Sequence, residues 1–225
     1  VTSEMATKIC EVHNVKLYNV LTGFKFIAEV IGEHEAKKEG TFLLGYEESY
    51  GYMKGQYSRD KDGVVASMLI CEMAAYYSLK GMTLIDAVES LYEKYGFYME
   101  NSAEIYMEGL DGKEKIAGLM DKLRAETPEK LAGSRVVNIR DYLAETSKNM
   151  LTGEVEGTGL PKSNVMYYKA ENGCVVVARP SGTEPKIKFY ILANGKNEEE
   201  AHNNTIDCTH TLEDMLGLAH DTLKK

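Results

Sequence analysis

The fold of the second half of the chain is decided by residues 174–193, whose sequence is CVVVARPSGTEPKIKFYILA. Two apolar runs, Cys174–Ala178 and Ile187–Ala193, enclose a polar loop that holds two prolines and one glycine. β-Branched and aromatic residues that end at such turn residues are typical of strands. The stretch therefore predicts two strands joined by a short polar connection.

Further strand-like runs lie on both sides of this stretch. They cover Phe97–Met107, Arg135–Tyr142 and Val165–Ala170, whereas helical patterns fill residues 113–124 and roughly 198–224. Clustered strands with helices set apart from them predict an α+β domain, with an antiparallel sheet and helices on one face. The polar, glycine-rich residues 146–163 are predicted to be a loop within this domain.

The first half of the chain shows a different pattern, which predicts an α/β domain. Residues 3–13 are predicted to form a helix, and Val15–Val20 a strand. A second helical pattern begins at Phe24, and Thr41–Leu44 is predicted to be a buried parallel strand. Strand, helix and strand at this spacing predict a βαβ unit.

Two more helices are predicted before the pattern changes near Gly96. The first is long and apolar and covers Val64–Leu79. The second begins after Thr83, where Asp86 stands three residues on as a capping-box partner. Gly96 then closes the second helix as a C-terminal cap.

A loop rich in glycine and tyrosine, residues 45–52 (GYEESYGY), is the first candidate site. It follows a predicted strand, and ligands of open α/β sheets bind beyond the carboxyl ends of strands. The carboxylate of Glu47 can accept hydrogen bonds from two neighbouring hydroxyls, and Ser49 adds a small donor and acceptor. On composition alone, a solvated acidic turn is the alternative interpretation.

The loop between the two strands of residues 174–193 is the second candidate site. Arg179 offers a planar fork that matches a phosphate, and Lys188 adds a second cation. Ser181 and Thr183 offer hydroxyls, and Gly182 lets backbone N–H groups approach an anion. The loop has no pairing of a nucleophile with a base, so it indicates an anion clamp. A hairpin turn with a surface ion pair is the alternative.

Two weaker segments also stand at predicted element ends. Residues 21–25 include Thr22 and Gly23 at a predicted helix start, which could face an anion. Residues 59–63 include Lys61 just before the long apolar helix. As isolated patterns, both are more often solvated turns.

Composition and missing motifs exclude several function classes. The net charge of −9 argues against broad binding to nucleic acid or to an anionic membrane. The sequence contains neither the GxxxxGK[ST] nor the GxGxxG pattern for nucleotides. None of the four cysteines forms a CxxC pair, and no histidine pair has the HExxH spacing. Scattered free thiols favour a reducing, cytoplasmic location.

The four segments together resemble the α-D-phosphohexomutases, in which they occur in the same order. LTGFKF (21–26), GYEESYGY (45–52), RDKDG (59–63) and RPSGTEPKIK (179–188) each match a family segment. The doubled glutamate and the aromatic residues of the second segment are most similar to the phosphoglucomutase branch, with its phosphopentomutase relatives. The resemblance implies that residues 1–95 are the family's third, sugar-recognising domain, truncated at its N-terminus. Residues 97–225 then correspond to the C-terminal, phosphate-binding domain.

The resemblance also implies roles for individual residues. Sugar hydroxyls are expected at Glu47, Ser49, Thr22, Gly23 and Lys61, and the phosphate that is not transferred at Arg179, Ser181, Gly182, Thr183 and Lys188. The resemblance implies that the full-length enzyme is a phosphoglucomutase that interconverts glucose 1-phosphate and glucose 6-phosphate, with Mg²⁺ and glucose 1,6-bisphosphate expected as its cofactors and none of them ligated by this chain. A mannose or pentose phosphate is an open alternative, as is a standalone module that binds sugar phosphates.

The family's phosphorylated serine and its metal-binding aspartate loop find no match in this sequence. We therefore expect no catalytic residue and no metal ligand in the chain, and no activity of the chain alone. The chain does not begin with Met, and we expect it to be a fragment whose partners are N-terminal domains of the same protein.

Overall fold

A computed structural model of the chain describes residues 1–109 and 111–223. The chain divides into two compact units, Val1–Tyr95 and Gly96–Lys225. Gly96 has a positive φ of 99°, a conformation that glycine adopts without the steric cost met by other residues. The boundary between the units therefore falls at a position whose backbone conformation glycine adopts most easily.

Unit 1 (Val1–Tyr95) contains helices and one short hairpin. Its helices are α1 (Met5–Val12), α2 (Phe24–Lys37), α3 (Gly63–Ser78) and α4 (Leu84–Tyr95). Strands β1 (Gly45–Tyr46) and β2 (Tyr52–Met53) pair antiparallel, with Tyr46 opposite Tyr52. The helices predicted over residues 3–13 and Val64–Leu79 are confirmed as α1 and α3.

Side-chain caps define where α3 and α4 begin. Asp86 Oδ2 accepts from the Thr83 N–H at 2.6 Å, and Thr83 Oγ1 accepts from the Asp86 N–H at 3.1 Å. This is the predicted capping box of α4. Asp62 Oδ1 accepts from the Val64 and Val65 N–H groups at 3.0 Å each, so Asp62 caps α3. Both caps satisfy N–H groups that have no partner within the helix.

The βαβ unit predicted in the first half is wrong for this structure. Neither Val15–Val20 nor Thr41–Leu44 is in a strand, and the one sheet of unit 1 is the antiparallel β1–β2 hairpin. Leu43 and Leu44 are exposed. An extended segment becomes a strand only by pairing with a neighbour, and neither segment has such a neighbour in unit 1.

Helix α3 is apolar on all sides but is not buried. Val64 is 74% exposed and Leu79, at its end, is 90% exposed. Further exposed apolar side chains on α3 are Met68, Ile70, Met73 and Tyr76. A helix that is apolar all round is typical of a buried position, so α3 presents an unusual amount of apolar side chain to solvent.

Unit 2 (Gly96–Lys225) is built on an antiparallel sheet. Its described strands are β3 (Phe97–Tyr106), β4 (Lys130–Leu131), β5 (Ser134–Asp141), β6 (Thr146–Asn149), β7 (Val155–Gly157), β8 (Met166–Ala170), β9 (Val175–Pro180) and β10 (Lys186–Gly195). Their hydrogen-bonded order is β3-β10-β9-β8-β5-β6-β7, and β4 pairs with β5. Every pairing is antiparallel.

One core joins this sheet to two helices, α5 (Gly112–Ala125) and α6 (Glu198–Leu216). Strand residues Phe189 and Ile191 and helix residues Leu123 and Leu212 are almost fully buried in it. The strand side chains of the core share one face, because alternate residues of a strand point the same way. The predicted antiparallel sheet with helices on one face is therefore confirmed, and so are its five predicted strand runs.

Two predictions for unit 2 need correction. The predicted loop at 146–163 contains the β6–β7 hairpin, whose polar strands lack the apolar alternation that marks most strands. The helix predicted over roughly 198–224 ends at Leu216, because Gly217 adopts a left-handed conformation with φ 72°. Residue 224 lies outside the described residues.

Candidate functional site

Glu47 lies at the start of the loop between β1 and β2, and its carboxylate is largely enclosed. The side chain is 10% exposed. Glu47 Oε1 accepts a hydrogen bond of 2.7 Å from the Gly23 N–H. Gly23 is the N-cap residue of α2, so the carboxylate sits at the positive end of that helix dipole, where an anion is stabilised.

Lys61 approaches the same carboxylate from the segment before α3. Its Nζ lies 3.9 Å from Glu47 Oε2 and 4.9 Å from the centre of the Phe24 ring. The structure therefore brings together the three predicted segments at 21–25, 45–52 and 59–63. Thr22 is half-buried beside Gly23, and Ser49 is exposed on the same loop as Glu47.

Two residues that are not among the predicted site residues, Gly51 and Phe24, shape this cluster. A Cβ at Gly51 would lie 2.7 Å from Phe24 Cε2 and 3.0 Å from Lys61 Cδ, far closer than ordinary contacts. The lack of a side chain at Gly51 therefore lets the Lys61 stem pack beside the Phe24 ring. The glycine at position 51 of the loop motif was the available signal, but the motif does not show that a side chain there would collide with Phe24 and Lys61.

Asp62 links this cluster to α3. Besides capping α3, its Oδ2 accepts a 2.7 Å hydrogen bond from the Tyr57 hydroxyl. The backbone hydrogen bond from Val65, and then the bond from Tyr57, hold the pKa of Asp62 below its usual range. Asp62 thus stays ionised at neutral pH and fixes the start of α3 at Gly63, two residues after Lys61.

The second candidate loop connects β9 to β10 in unit 2. Arg179 on β9 stands opposite Lys188 on β10, so both cations lie on the same face of the sheet. The Ser181 N–H donates to the Lys186 carbonyl at 2.8 Å and closes the loop. The Ser181 hydroxyl oxygen accepts from the Glu184 N–H at 3.2 Å.

The tip of this loop is open. A Cβ at Gly182 would meet nothing within 4 Å, so there is room beside its backbone. The Thr183 and Ser181 hydroxyl oxygens are 3.5 Å apart. Two hydroxyls and an accessible backbone next to paired cations can bind an anion.

The lysines at the start of β10 are held by carboxylates. Lys186 Nζ lies 2.8 Å from the Tyr106 hydroxyl, 3.0 Å from Glu184 Oε2 and 3.4 Å from Glu104 Oε2. The hydrogen bond to Tyr106, and then that to Glu184, raise the pKa of Lys186 above its usual value. Lys188 Nζ lies 3.8 Å from Glu104 Oε2.

Two features are absent from residues 1–109 and 111–223, the part of the chain that the structure describes. In that part of the chain no group of three or more histidine, cysteine, aspartate or glutamate side chains could hold a metal ion. No helix there is both long and apolar enough to span a bilayer.

Comparison with known proteins shows consistent similarities. A family model for phosphoglucomutase/phosphomannomutase α/β/α domain III matches residues 1–95. The phosphoglucomutase of Staphylococcus saprophyticus is 36% identical over 200 residues, which is 89% of this chain and 36% of that protein. A Staphylococcus aureus phosphoglucomutase is 38% identical over 200 residues, which is again 89% of this chain and 36% of that protein. The chain thus spans about a third of the length of the curated relatives it matches.

A solved structure has the same fold. Parafusin from Paramecium, described as a phosphoglucomutase and solved in an open form, aligns with a TM-score of 0.63. The alignment covers 98% of this chain and 38% of parafusin, at 16% sequence identity. At that identity the similarity establishes the fold alone.

Proposed function

Because the chain belongs to the phosphoglucomutase/phosphomannomutase family, we propose that it is the sugar- and phosphate-binding part of a phosphoglucomutase. The whole protein would interconvert glucose 1-phosphate and glucose 6-phosphate. The observation that carries the proposal is the convergence of Gly23, Glu47 and Lys61, which come from three separate segments of unit 1.

The Glu47 cluster suits a sugar. Glu47 Oε1 is already bonded to Gly23, so Oε2 is the oxygen that best accepts a hydrogen bond from a ring hydroxyl. Lys61 is 54% exposed and can donate to a neighbouring hydroxyl. Thr22 and Ser49 would add hydroxyl groups, and Gly23, which has no side chain, would let the backbone lie close to the sugar.

The β9–β10 loop suits the phosphate that is not transferred. Arg179 and Lys188 would supply charge, while Ser181, Thr183 and the backbone at Gly182 would supply hydrogen bonds. Hydrogen bonds to charged groups contribute about 1.5–3 kcal/mol each. A few such bonds are enough to anchor a small phosphate ester.

Catalysis would need residues from outside this chain. Neither loop pairs a nucleophile with a base, and the described residues contain no group of three or more histidine, cysteine, aspartate or glutamate side chains that could hold a metal ion. We therefore propose that Mg²⁺ and the phosphorylated serine belong to N-terminal domains of the same protein, that glucose 1,6-bisphosphate serves the whole enzyme, and that the chain alone is inactive. An assay of the purified chain with Mg²⁺ and the bisphosphate tests this, and turnover at the rate of full-length relatives would refute it.

Binding measurements test the two roles separately. In calorimetric titrations, Arg179→Ala should weaken binding of both glucose 1-phosphate and inorganic phosphate at least tenfold, because the arginine fork binds the shared group. Glu47→Gln should weaken binding of glucose 1-phosphate but leave inorganic phosphate unchanged, because Glu47 contacts only the sugar.

Arg135→Ala is the matched control, because Arg135 is an exposed arginine on β5 of the same sheet. Equal affinities for glucose 1-phosphate in Arg179→Ala and Arg135→Ala would contradict the phosphate assignment. Parallel titrations with mannose 1-phosphate and ribose 1-phosphate distinguish the phosphomannomutase and phosphopentomutase alternatives.

A further inference from the structure

The two lysines beside the β9–β10 loop share a carboxylate that lies outside the loop. Glu104 on β3 stands opposite Lys188 on β10, which in turn stands opposite Arg179 on β9. Directly opposed residues of antiparallel strands lie on one face, so the three side chains form a row across the sheet. Glu104 Oε2 lies 3.8 Å from Lys188 Nζ and 3.4 Å from Lys186 Nζ.

The two lysines are not equivalent. Lys186 is 13% exposed and is enclosed by Tyr106, Glu184 and Glu104. Lys188 is 40% exposed and lies beside Glu104. Lys186 is thus fixed within the sheet, whereas Lys188 has the freedom to exchange one anionic partner for another.

We propose that Glu104 limits the affinity of the β9–β10 loop for phosphate by holding Lys188 in the absence of ligand. The inference rests on the proposed function, since it concerns the same phosphate site. A phosphate bound at Arg179 draws Lys188 away from Glu104, so the attraction between the lysine and that carboxylate is lost. The lost attraction costs free energy in proportion to the charges and inversely to their distance.

Limited affinity suits an enzyme that must release its product. Binding substrate and transition state equally tightly does not raise the turnover number. A carboxylate that competes with the phosphate keeps the lysine charged and in place without making the bound state too stable.

Neutral variants of Glu104 in the 225-residue chain test the inference. With inorganic phosphate and with glucose 1-phosphate at pH 8 and low salt, Glu104→Gln should bind about threefold to tenfold more tightly than the unaltered chain. Glu104→Met, which is neutral and similar in length, should show the same gain. In 0.5 M KCl the gain should fall below about twofold, because salt screens the charge.

Glu100→Gln is the matched control. Glu100 is exposed and lies four residues away on the same strand, opposite Leu192. The same charge change there should alter the affinity for phosphate by less than about twofold, because the residue is two rows from Lys188.

A double-mutant cycle shows whether Glu104 acts through Lys188. Lys188→Met should weaken phosphate binding, and adding Glu104→Gln to it should give no further gain. Unchanged or weaker binding by both neutral Glu104 variants would overturn the inference, as would a full gain in the Lys188→Met background. A failure of Arg179→Ala to weaken binding would instead count against the proposed function.

Discussion

Gly51 shows how a single missing side chain arranges the Glu47 cluster. We expect Gly51→Ala to displace the Phe24 ring or Lys61, because the alanine Cβ would lie 2.7 Å from Phe24 Cε2 and 3.0 Å from Lys61 Cδ. Overpacking of this kind costs about 1–3 kcal/mol. The free energy of unfolding, from urea denaturation, should fall by that amount, and glucose 1-phosphate should bind severalfold more weakly.

Gly63→Ala is the control for Gly51→Ala. A Cβ at Gly63 would meet nothing within 4 Å, and Gly63 is the first residue of α3. Alanine there should leave stability unchanged or raise it slightly, because alanine favours helix. If Gly51→Ala behaved like Gly63→Ala in both measurements, the packing argument for Lys61 would be wrong.

The residues of the Glu47 cluster were only partly predictable from sequence. Glu47, Gly23 and Lys61 stand out because charged or flexible residues occur at element ends, and the structure places them together. Phe24 and Gly51 were missed, because their contact depends on tertiary packing between a helix start and a hairpin. The ligand roles of all these residues stay predictions.

The capping box of α4 provides a test at the level of one element. The Thr83 N–H, and then its hydroxyl, hold the pKa of Asp86 below its usual range. A carboxyl group whose pKa is lowered in the folded state stabilises that state at pH values above the group's unfolded pKa of about 3.9. That stability is lost as the pH falls through the folded pKa.

We expect Asp86→Asn to lower the melting temperature by roughly 2–6 °C at pH 7. The difference from the unaltered chain should disappear progressively below about pH 4, as Asp86 of the unaltered chain becomes protonated. Glu89→Gln, at an exposed position on the same helix, should not change the melting temperature. A difference that persisted undiminished at pH 2 would argue against the ionised cap.

The elements of unit 2 could be predicted more completely than those of unit 1. Long β-rich runs such as Phe97–Met107 and Ile187–Ala193 have enough apolar residues to mark a strand by themselves. Val15–Val20 and Thr41–Leu44 are as β-rich, but a strand exists only where a partner strand accepts its hydrogen bonds. β6 and β7 show the opposite case, in which pairing makes strands of polar residues.

The two units differ greatly in the size of their cores. The buried apolar residues of unit 1 are Phe24, Ile31, Met53, Ala87 and Tyr95, whereas β9 and β10 of unit 2 are buried along most of their length. Segments with few buried contacts open locally at lower free energy. We expect amides of β9 and β10 to exchange at least a hundredfold more slowly than those of α3.

Hydrogen exchange followed by mass spectrometry measures this difference. A Phe189→Ala substitution removes a fully buried ring and should speed exchange in β9 and β10, since such deletions cost about 3–5 kcal/mol. Leu79→Ala, at a 90% exposed position, should leave the exchange rates unchanged. Equal protection of α3 and β10 in the unaltered chain would contradict the expected order.

The apolar surface of α3 has a practical consequence for experiments on this protein. Dyes whose fluorescence increases in apolar surroundings will bind to Val64, Met68 and Leu79 before any heating. A dye-based thermal shift screen will therefore start from a high background, which would hide the stabilisation expected from the proposed sugar phosphate ligand. Circular dichroism or calorimetry avoids the problem, and mild detergent or a charged residue at Met68 should improve solubility.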